Sequence, residues 1–583
     1  MKSKLILIMA LTGGMSLASC EDFLDQENTT NLNQETFFDS DAAITAATAP
    51  LYNYVWSSFN EKAYYSMGDG RANNITAQYS DYIYPYTNLN ETSLAAGLDD
   101  AWGAFYSVVA QANNTINNIR NHASANVSET AKTQGIAEAR FMRGTAYWYL
   151  ASLWGLAIIY ENTSDLVNNY VVPANNRTDV MEFAIRDLEY AAAYLPDTPA
   201  QTGRVTKYSA FGMLSRVYLS MAGLTDNGEY NGSNIATDPN RGTRNTYYLD
   251  LAKKAALRVV GTSNYDLMDN YGDLFTYANN NCKEALFQLQ WLSGSKDVLP
   301  WGSMQAITTF FGWSTMVTDA TNWGGATYCS WDLWDEYDPK DVIRRHYSVA
   351  SYGEHYPDMN VRGGGYTYGV TENRGSQGAN IKKYVIGTNA DNGVSYQQSS
   401  GLNTHMLRLA EVYLNLAEAI LGNNASTTDP TALFYYNKVR ARAGMPTKDS
   451  NEAITYEDLR YERRIELAFE GQYWYDLIRR SYYKQQEVVN YMNNQNRNAS
   501  YDYNETTGKY EISEDYVAPG KGVATATASS LTLPVSDVDQ NKNHYLSGTI
   551  QTVPYAFGER EVSVADLYII IQVQRFARNY VPT

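Results

Sequence analysis

Apolar residues recur at helical spacing through two long parts of the chain and lose that period between them. The densest run is AEARFMRGTAYWYLASLWG, Ala137 to Gly155, in which Met142, Ala146, Tyr149, Leu150 and Leu153 fall at i, i+4, i+7, i+8 and i+11 of one helical face. Phe141 and Trp148 cover a second side, Tyr147 and Ala151 a third. A helix apolar on most sides is buried between others, and Gly144 and Ala146 leave room for a close neighbour. This stretch is therefore expected to be a central scaffold helix. The same period predicts helices over Asp41 to Ser57, with Asp41 as its cap, and over Ala101 to Asn118, with Trp102, Phe105, Val109, Ala112 and Ile116 on one face. It also predicts Thr178 to Leu195, Lys207 to Ala222, Leu249 to Val260, Thr404 to Gly422, Leu433 to Ala443 and Thr455 to Arg480, with Pro446 separating the last two.

Two regions break the helical period. Residues 60–98 mix Gly, Asn and Tyr and are expected to form an ordered loop with short extended pieces, the kind of element that carries binding on a rigid scaffold. Residues 262–403 are rich in Gly, Asn, Thr and aromatics, too aromatic for a disordered linker. Short strands are expected there at Glu284 to Trp291 and Ile381 to Val385. Near the C-terminus, Leu531 to Asn543 reads as an extended piece ending in a turn, and Asp566 to Val573 as strand-like. The helix pairs, with recurring Tyr and Ala, resemble degenerate tetratricopeptide repeats. Their aromatics are assigned to packing.

Charge narrows the function. Lys plus Arg is 45 against 63 for Asp plus Glu, a formal net charge of -18, which argues against nucleic acid because phosphate binding needs clustered cations. Cys20, Cys282 and Cys329 are too few for a disulfide framework and match no zinc spacing. The first residues read as a secretory signal, with Lys2 and Lys4 before the apolar Leu5 to Leu11. Its end, Leu17-Ala18-Ser19-Cys20, has the form of a bacterial lipobox, whose cysteine becomes an acylated N-terminus. Removal of the two lysines takes the charge from -18 to -20. An anchor by lipid rather than by a helix is expected.

Six stretches in order carry a resemblance: the lipobox, the Ala137 to Gly155 helix, GRVTKYSAFGMLSRVYLSMAG, RLAEVYLNLAEAI, ERRIELAFEGQYWYDLIR and PVSDVDQNKN. Together they resemble the SusD/RagB family of outer-membrane lipoproteins, from Cys20 to about Asn543. The resemblance implies a mostly α-helical fold, with four tetratricopeptide-like helix pairs as a scaffold and a loop-rich irregular half with a few short strands. The expected layout is a signal peptide over 1–19, a lipid-anchored tether and arm over 20–40, and helical repeats over 41–261 and 404–482. The irregular part spans 262–403, and an extended C-terminal segment spans 483–583. The resemblance further implies a non-catalytic protein, without cofactor, that captures a glycan outside the cell and delivers it to a SusC-like TonB-dependent transporter. Some family members take peptides instead.

Sugars offer hydroxyl groups and apolar C–H faces, so their sites combine flat aromatic rings with paired polar side chains. Two loops supply both. One carries Asp69, Arg71, Asn73 and Asn74 with Tyr79, Tyr82 and Tyr84; the other carries Trp301, Phe311, Trp313, Asn322 and Trp323. Family register places Trp323 at a binding aromatic and the 69–74 loop near a second contact. Other constellations point to ordinary roles. Glu462, Arg463, Arg464, Glu466 and Glu470 read as helix-surface ion pairs. Asp226, Asn227, Glu229, Asn231 and Asp238 could offer oxygens to a structural calcium ion, but lack the EF-hand spacing. His346 and His355 lack the zinc-protease helix, and no serine nucleophile elbow is present. A surface glycoside hydrolase remains the alternative from a different class, since its two carboxylates are paired in space and not in sequence.

Overall fold

The computed structural model describes residues 37–77, 82–167, 169–292, 305–312, 316, 327–370, 378–386, 395–396, 399–513 and 524–569. Helices dominate it. A short helix, α1 (Asp41–Thr48), precedes the long antiparallel pair α2 (Leu98–His122) and α3 (Glu129–Trp154). Next come α4 (Arg177–Tyr194), α5 (Lys207–Leu224) and α6 (Thr246–Val260). Each of these helices from α2 onwards packs on the next, and α6 continues the stack onto α8 (Leu409–Leu421) across the irregular region, which contains the short α7 (Ile307–Phe311). The series then runs through α9 (Pro430–Arg442), α10 (Tyr456–Glu466) and α11 (Tyr473–Asn494).

α3 is the scaffold helix that its pattern predicts: every residue from Gly135 to Trp154 is buried except the half-buried Glu138. Gly144 is where α4 comes close, since a Cβ there would stand 2.9 Å from the Ala184 carbonyl oxygen. Gly155, at φ 74°, ends the helix in the left-handed conformation that glycine adopts without strain. Tyr149 packs on Phe59 at 4.9 Å and stacks on Phe105 at 5.1 Å, so α3 braces the start of the 60–98 region.

Several local expectations are corrected. The cap of α1 is Ser40, which accepts from the Ala43 amide, while Asp41 accepts from the Ser128 amide and hydroxyl and so ties α1 to the start of α3. Residues 60–98 contain two wide helical turns, Phe59–Ala63 and Ser66–Gly70, and a short helix, Tyr84–Thr87, besides the strand β1 (Ile75–Ala77). The run from Thr404 is a strand before it is a helix, because Thr404–Arg408 pairs with Ala285–Leu289. The expected helix over Thr455 to Arg480 breaks at 467–472, and the Asp566 end of the expected strand is a helical turn, α12 (Val564–Tyr568). Asp537–Lys542 is likewise helical rather than extended. Cys282 and Cys329 are free thiols, the first half-buried and the second buried.

In the irregular half, β1, β3 (Thr327–Cys329), β5 (Asn380–Ile381) and β4 (Val349–Ala350) form one sheet in the order β1-β3-β5-β4, while β2 (Ala285–Leu289) pairs with β6 (Thr404–Arg408). The pairs β1–β3, β3–β5 and β5–β4 are antiparallel.

Candidate functional site

The two loops singled out by composition are drawn together by strand pairing. Ala77, the last described residue of the first loop before 78–81, sits opposite Thr327, the first after 317–326. The described ends of both loops thus stand side by side at one end of the sheet. Beside them, Tyr65 packs on Phe310 at 5.7 Å and on Phe311 at 5.1 Å. Asn380 on β5 donates to the Phe311 carbonyl at 2.6 Å, which fastens α7 to the same sheet.

Asp69, Arg71, Asn73 and Asn74 are fully buried, and their hydrogen bonds are spent on the protein. Asp69 accepts from the Phe469 amide at 3.0 Å, the Gly471 amide at 2.6 Å and the Asn74 side chain at 2.8 Å. Phe469 and Gly471 lie in the break between α10 and α11, both at positive φ. Their amides have left the helical ladder, and the carboxylate replaces its acceptors. Arg464, from α10, donates to the Asn74 side chain at 2.9 Å and to the Asn73 carbonyl at 3.1 Å. Ser330, just past β3, donates through its hydroxyl to that same carbonyl at 2.6 Å. Arg71 pairs with Glu91, donates to the Ser530 carbonyl at 2.7 Å and lies over the Trp474 ring at 4.1 Å.

As the structure places them, those four side chains take part in a clasp between the loop, the helix break and β3, in which the buried charges of Asp69 and Arg71 meet partners inside the protein. Asn73, through both side-chain amide atoms, and Arg71, through Nε and Nη1, keep buried atoms without a hydrogen-bond partner among the described residues. Burial pushes the Asp69 carboxyl up, and the bonds from Asn74, Gly471 and Phe469 hold it back to about 6. Tyr82 is half-buried, its ring 3.4 Å from where a Cβ on Gly97 would stand. Trp301, Trp313, Asn322, Trp323 and Tyr79, and the lipidation candidate Cys20, lie outside the described residues.

The expected helix-surface ion pairs are also corrected, because the ERRIELAFEG segment is interior. Arg344, Lys383, Arg408, Arg440 and Arg442 meet Glu284, Asp341, Glu462, Glu466 and Glu470 in one network, five cations against five carboxylates. Burial opposes ionisation of Glu466 and Glu470. The neighbouring cations prevail, Arg442, Arg408 and Arg344 for Glu466, and Arg408 and Lys383 for Glu470, and hold each carboxyl down at about 2. The network joins the last repeats to the irregular half that carries the loops. Sequence reading missed Arg464, Phe469 and Gly471 as the residues that position the loop; the Glu470-Gly471 pair inside an otherwise helical pattern was the signal for a break.

The acidic loop suggested for calcium is closed on itself. Asn234 donates to the Asn227 carbonyl at 2.9 Å and the Glu229 carbonyl at 3.1 Å, and the Glu229 carboxylate pairs with Arg560. Among the described residues no group of three His, Cys, Asp or Glu side chains is gathered as a metal ion would require. No helix among them is long and apolar enough to cross a membrane.

Comparison with known proteins places this architecture. Residues 283–553 match the SusD family, and residues 22–219 match a family described as starch-binding associating with outer membrane. A SusD-like protein of Bacteroides ovatus is 37% identical over 579 residues, covering 96% of this chain and 99% of its own. A SusD-like protein of Formosa agariphila is 24% identical over 504 residues, covering 80% of this chain and 87% of its own. A crystal structure with xylogluco-oligosaccharide is 35% identical, with a TM-score of 0.78 over 89% of this chain and 100% of that one.

Proposed function

This chain belongs to the SusD family, and from that premise we propose that it is a lipid-anchored protein of the outer cell surface that captures an oligosaccharide or polysaccharide. It then passes the glycan to a partner TonB-dependent transporter in the outer membrane. The observation that carries the reading is the similar structure solved with xylogluco-oligosaccharide, alike over nearly the whole fold. The geometry adds support, since β1 and β3 bring the described ends of the Asn- and Tyr-rich loop and of the Trp-rich one side by side. In this reading Trp323 is the stacking platform, Asn322, Trp301, Trp313 and Tyr82 are further contacts, and the buried 69–74 clasp keeps the first loop in position. Cys20 carries the lipid.

Binding measured by titration calorimetry tests the reading. Trp323→Ala should weaken oligosaccharide binding by about 1–3 kcal/mol, by analogy with base stacking on aromatic side chains. Unchanged affinity in a folded variant removes Trp323 from the site. A screen of the purified protein against polysaccharides and mixed peptides separates the glycan reading from peptide capture; release of reducing ends at catalytic amounts of protein would instead favour a hydrolase.

A further inference from the structure

A cavity of 890 Å³ lies between α6 and the C-terminal helix α12, built from elements other than those of the loop site. One wall is a single helical face: Tyr247, Asp250, Leu251 and Lys254 recur at i, i+3, i+4 and i+7 along α6. The other is the end of the described chain, with Arg560, Ser563, Val564 and Tyr568. That wall is pinned in place. Arg560 reaches the buried Glu182 at 2.7 Å, pairs with Glu189, and meets Glu229 at 3.1 Å, while the Tyr568 ring packs on Phe211 at 5.9 Å.

The lining selects a chemistry. Lys254 pairs with Asp250 at 2.7 Å and Arg560 with Glu229, so most of its charges are compensated within the wall, and only Lys253 adds a positive charge. A strongly anionic ligand would need a surplus of cations. A wholly apolar one would strip water from ionised side chains and return no hydrogen bond. An uncharged polyhydroxyl ligand meets both demands: its hydroxyl groups can donate to the Asp250 and Glu229 carboxylates and accept from Lys254 and Ser563. Its C–H faces can lie on Tyr247, Leu251 and Val564. Tyr247 is half-buried and set edge-on to Tyr248 at 5.1 Å, so its ring is held in a defined orientation. The volume is within the range of about 300–1,000 Å³ usual for small-molecule sites.

We propose that this cavity is a second saccharide-binding site, which takes a short stretch of an uncharged oligosaccharide. The ligand class rests on the proposed function above; the place and lining do not. Calorimetric titration of the full chain with xylogluco-oligosaccharide and with malto-oligosaccharide tests it, using Trp323→Ala, Tyr247→Ala and the double variant, each checked for an intact thermal transition. Two sites are expected for the unaltered protein with at least one of these sugars, with Trp323→Ala weakening only the first, Tyr247→Ala only the second and the double variant both. Lys254→Met, which keeps the aliphatic stem, should weaken the second site at least tenfold and leave the first unchanged. A single site that weakens with Trp323→Ala and ignores both Tyr247→Ala and Lys254→Met overturns the second site and leaves the glycan reading intact. Absence of binding to either sugar in the unaltered protein overturns both.

Discussion

At the scale of single residues, the interior of this protein depends on arginines that cannot be spared. Arg408 donates to Glu284 at 2.8 Å, to Glu466 at 2.6 Å and to Glu470 at 2.8 Å, with all four side chains almost wholly buried. Arg408→Met would keep much of the volume and take one cation from each of three buried carboxylates, leaving Glu284 and Glu466 to Arg442 and Glu470 to Lys383. A loss of about 3–5 kcal/mol is expected, the range for breaking a buried ion pair from one side. Denaturant unfolding of the variant checks it. Asp69 carries the opposite electrostatic signature. Its folded carboxyl is raised from 3.8 to about 6, so the native state keeps a proton that the unfolded chain has already released. Its contribution to stability therefore falls as pH rises from about 4 to about 6. Asp69→Asn removes that titration along with one of the acceptor oxygens, so the stability difference between the natural protein and the variant should be larger at pH 4.5 than at pH 7. An equal difference at both pH values would show that Asp69 titrates normally.

At the scale of elements, the decisive feature is the break between α10 and α11. Two turns of chain cross there almost in contact: a Cβ on Gly68 would stand 2.4 Å from the Gly471 carbonyl oxygen, and one on Gly471 would stand 2.6 Å from that of Tyr64. Backbone cannot give way as a flexible side chain can. Gly68→Ala should therefore cost about 1–3 kcal/mol, the usual penalty of overpacking, and should pry the loop from its clasp. The expected readout is a lowered thermal midpoint together with weaker oligosaccharide binding, because β1 leaves this clasp and pairs with β3. A midpoint unchanged from that of the natural protein would show that the turns separate freely. The C-terminal segment is an element of the same kind. Tyr555 donates its amide to Asp179 at 3.1 Å and Arg560 enters the Glu182 and Glu189 site, so residues 555–560 are fastened onto α4.

At the scale of the whole molecule, the ion networks make an acid limit predictable. Burial disfavours the charge on Glu418, yet Arg479 and Arg244 hold it at about 2, as the cations around Glu466 and Glu470 do for theirs. All three carboxyls ionise in the folded protein well below their ordinary value of 4.5. The unfolded chain then binds more protons as pH falls. The stabilisation, fully present above about pH 4.5, is lost progressively as pH falls towards about 2. Unfolding midpoints measured at intervals through that window should fall steeply, and a flat profile would mean that the buried cations do not favour these carboxylates.

The helical scaffold was legible in the chain because its signal is local. The 3.6-residue period of α3, the paired repeats around it and the two loop-rich stretches each depend on neighbours within a few turns. The same locality explains the misreadings. Thr404–Arg408 carries an apolar pattern that suits helix or strand, and only pairing with Ala285–Leu289, more than a hundred positions earlier, made it a strand. ERRIELAFEG has the charge spacing of an exposed helix, and only the convergence of Arg344, Arg408 and Arg442 from distant segments made its glutamates interior. Asp69, Arg71 and Asn74 have the chemistry of sugar contacts and equally that of a clasp. Tertiary structure chose the clasp, since the amides that Asp69 satisfies lie 400 residues and more away. Sequence thus determined most of the helices and the loops in which binding residues are sought. The fold alone decided which polar side chains are consumed in holding those loops, because desolvation depends on what surrounds a group in space and not on its neighbours along the chain.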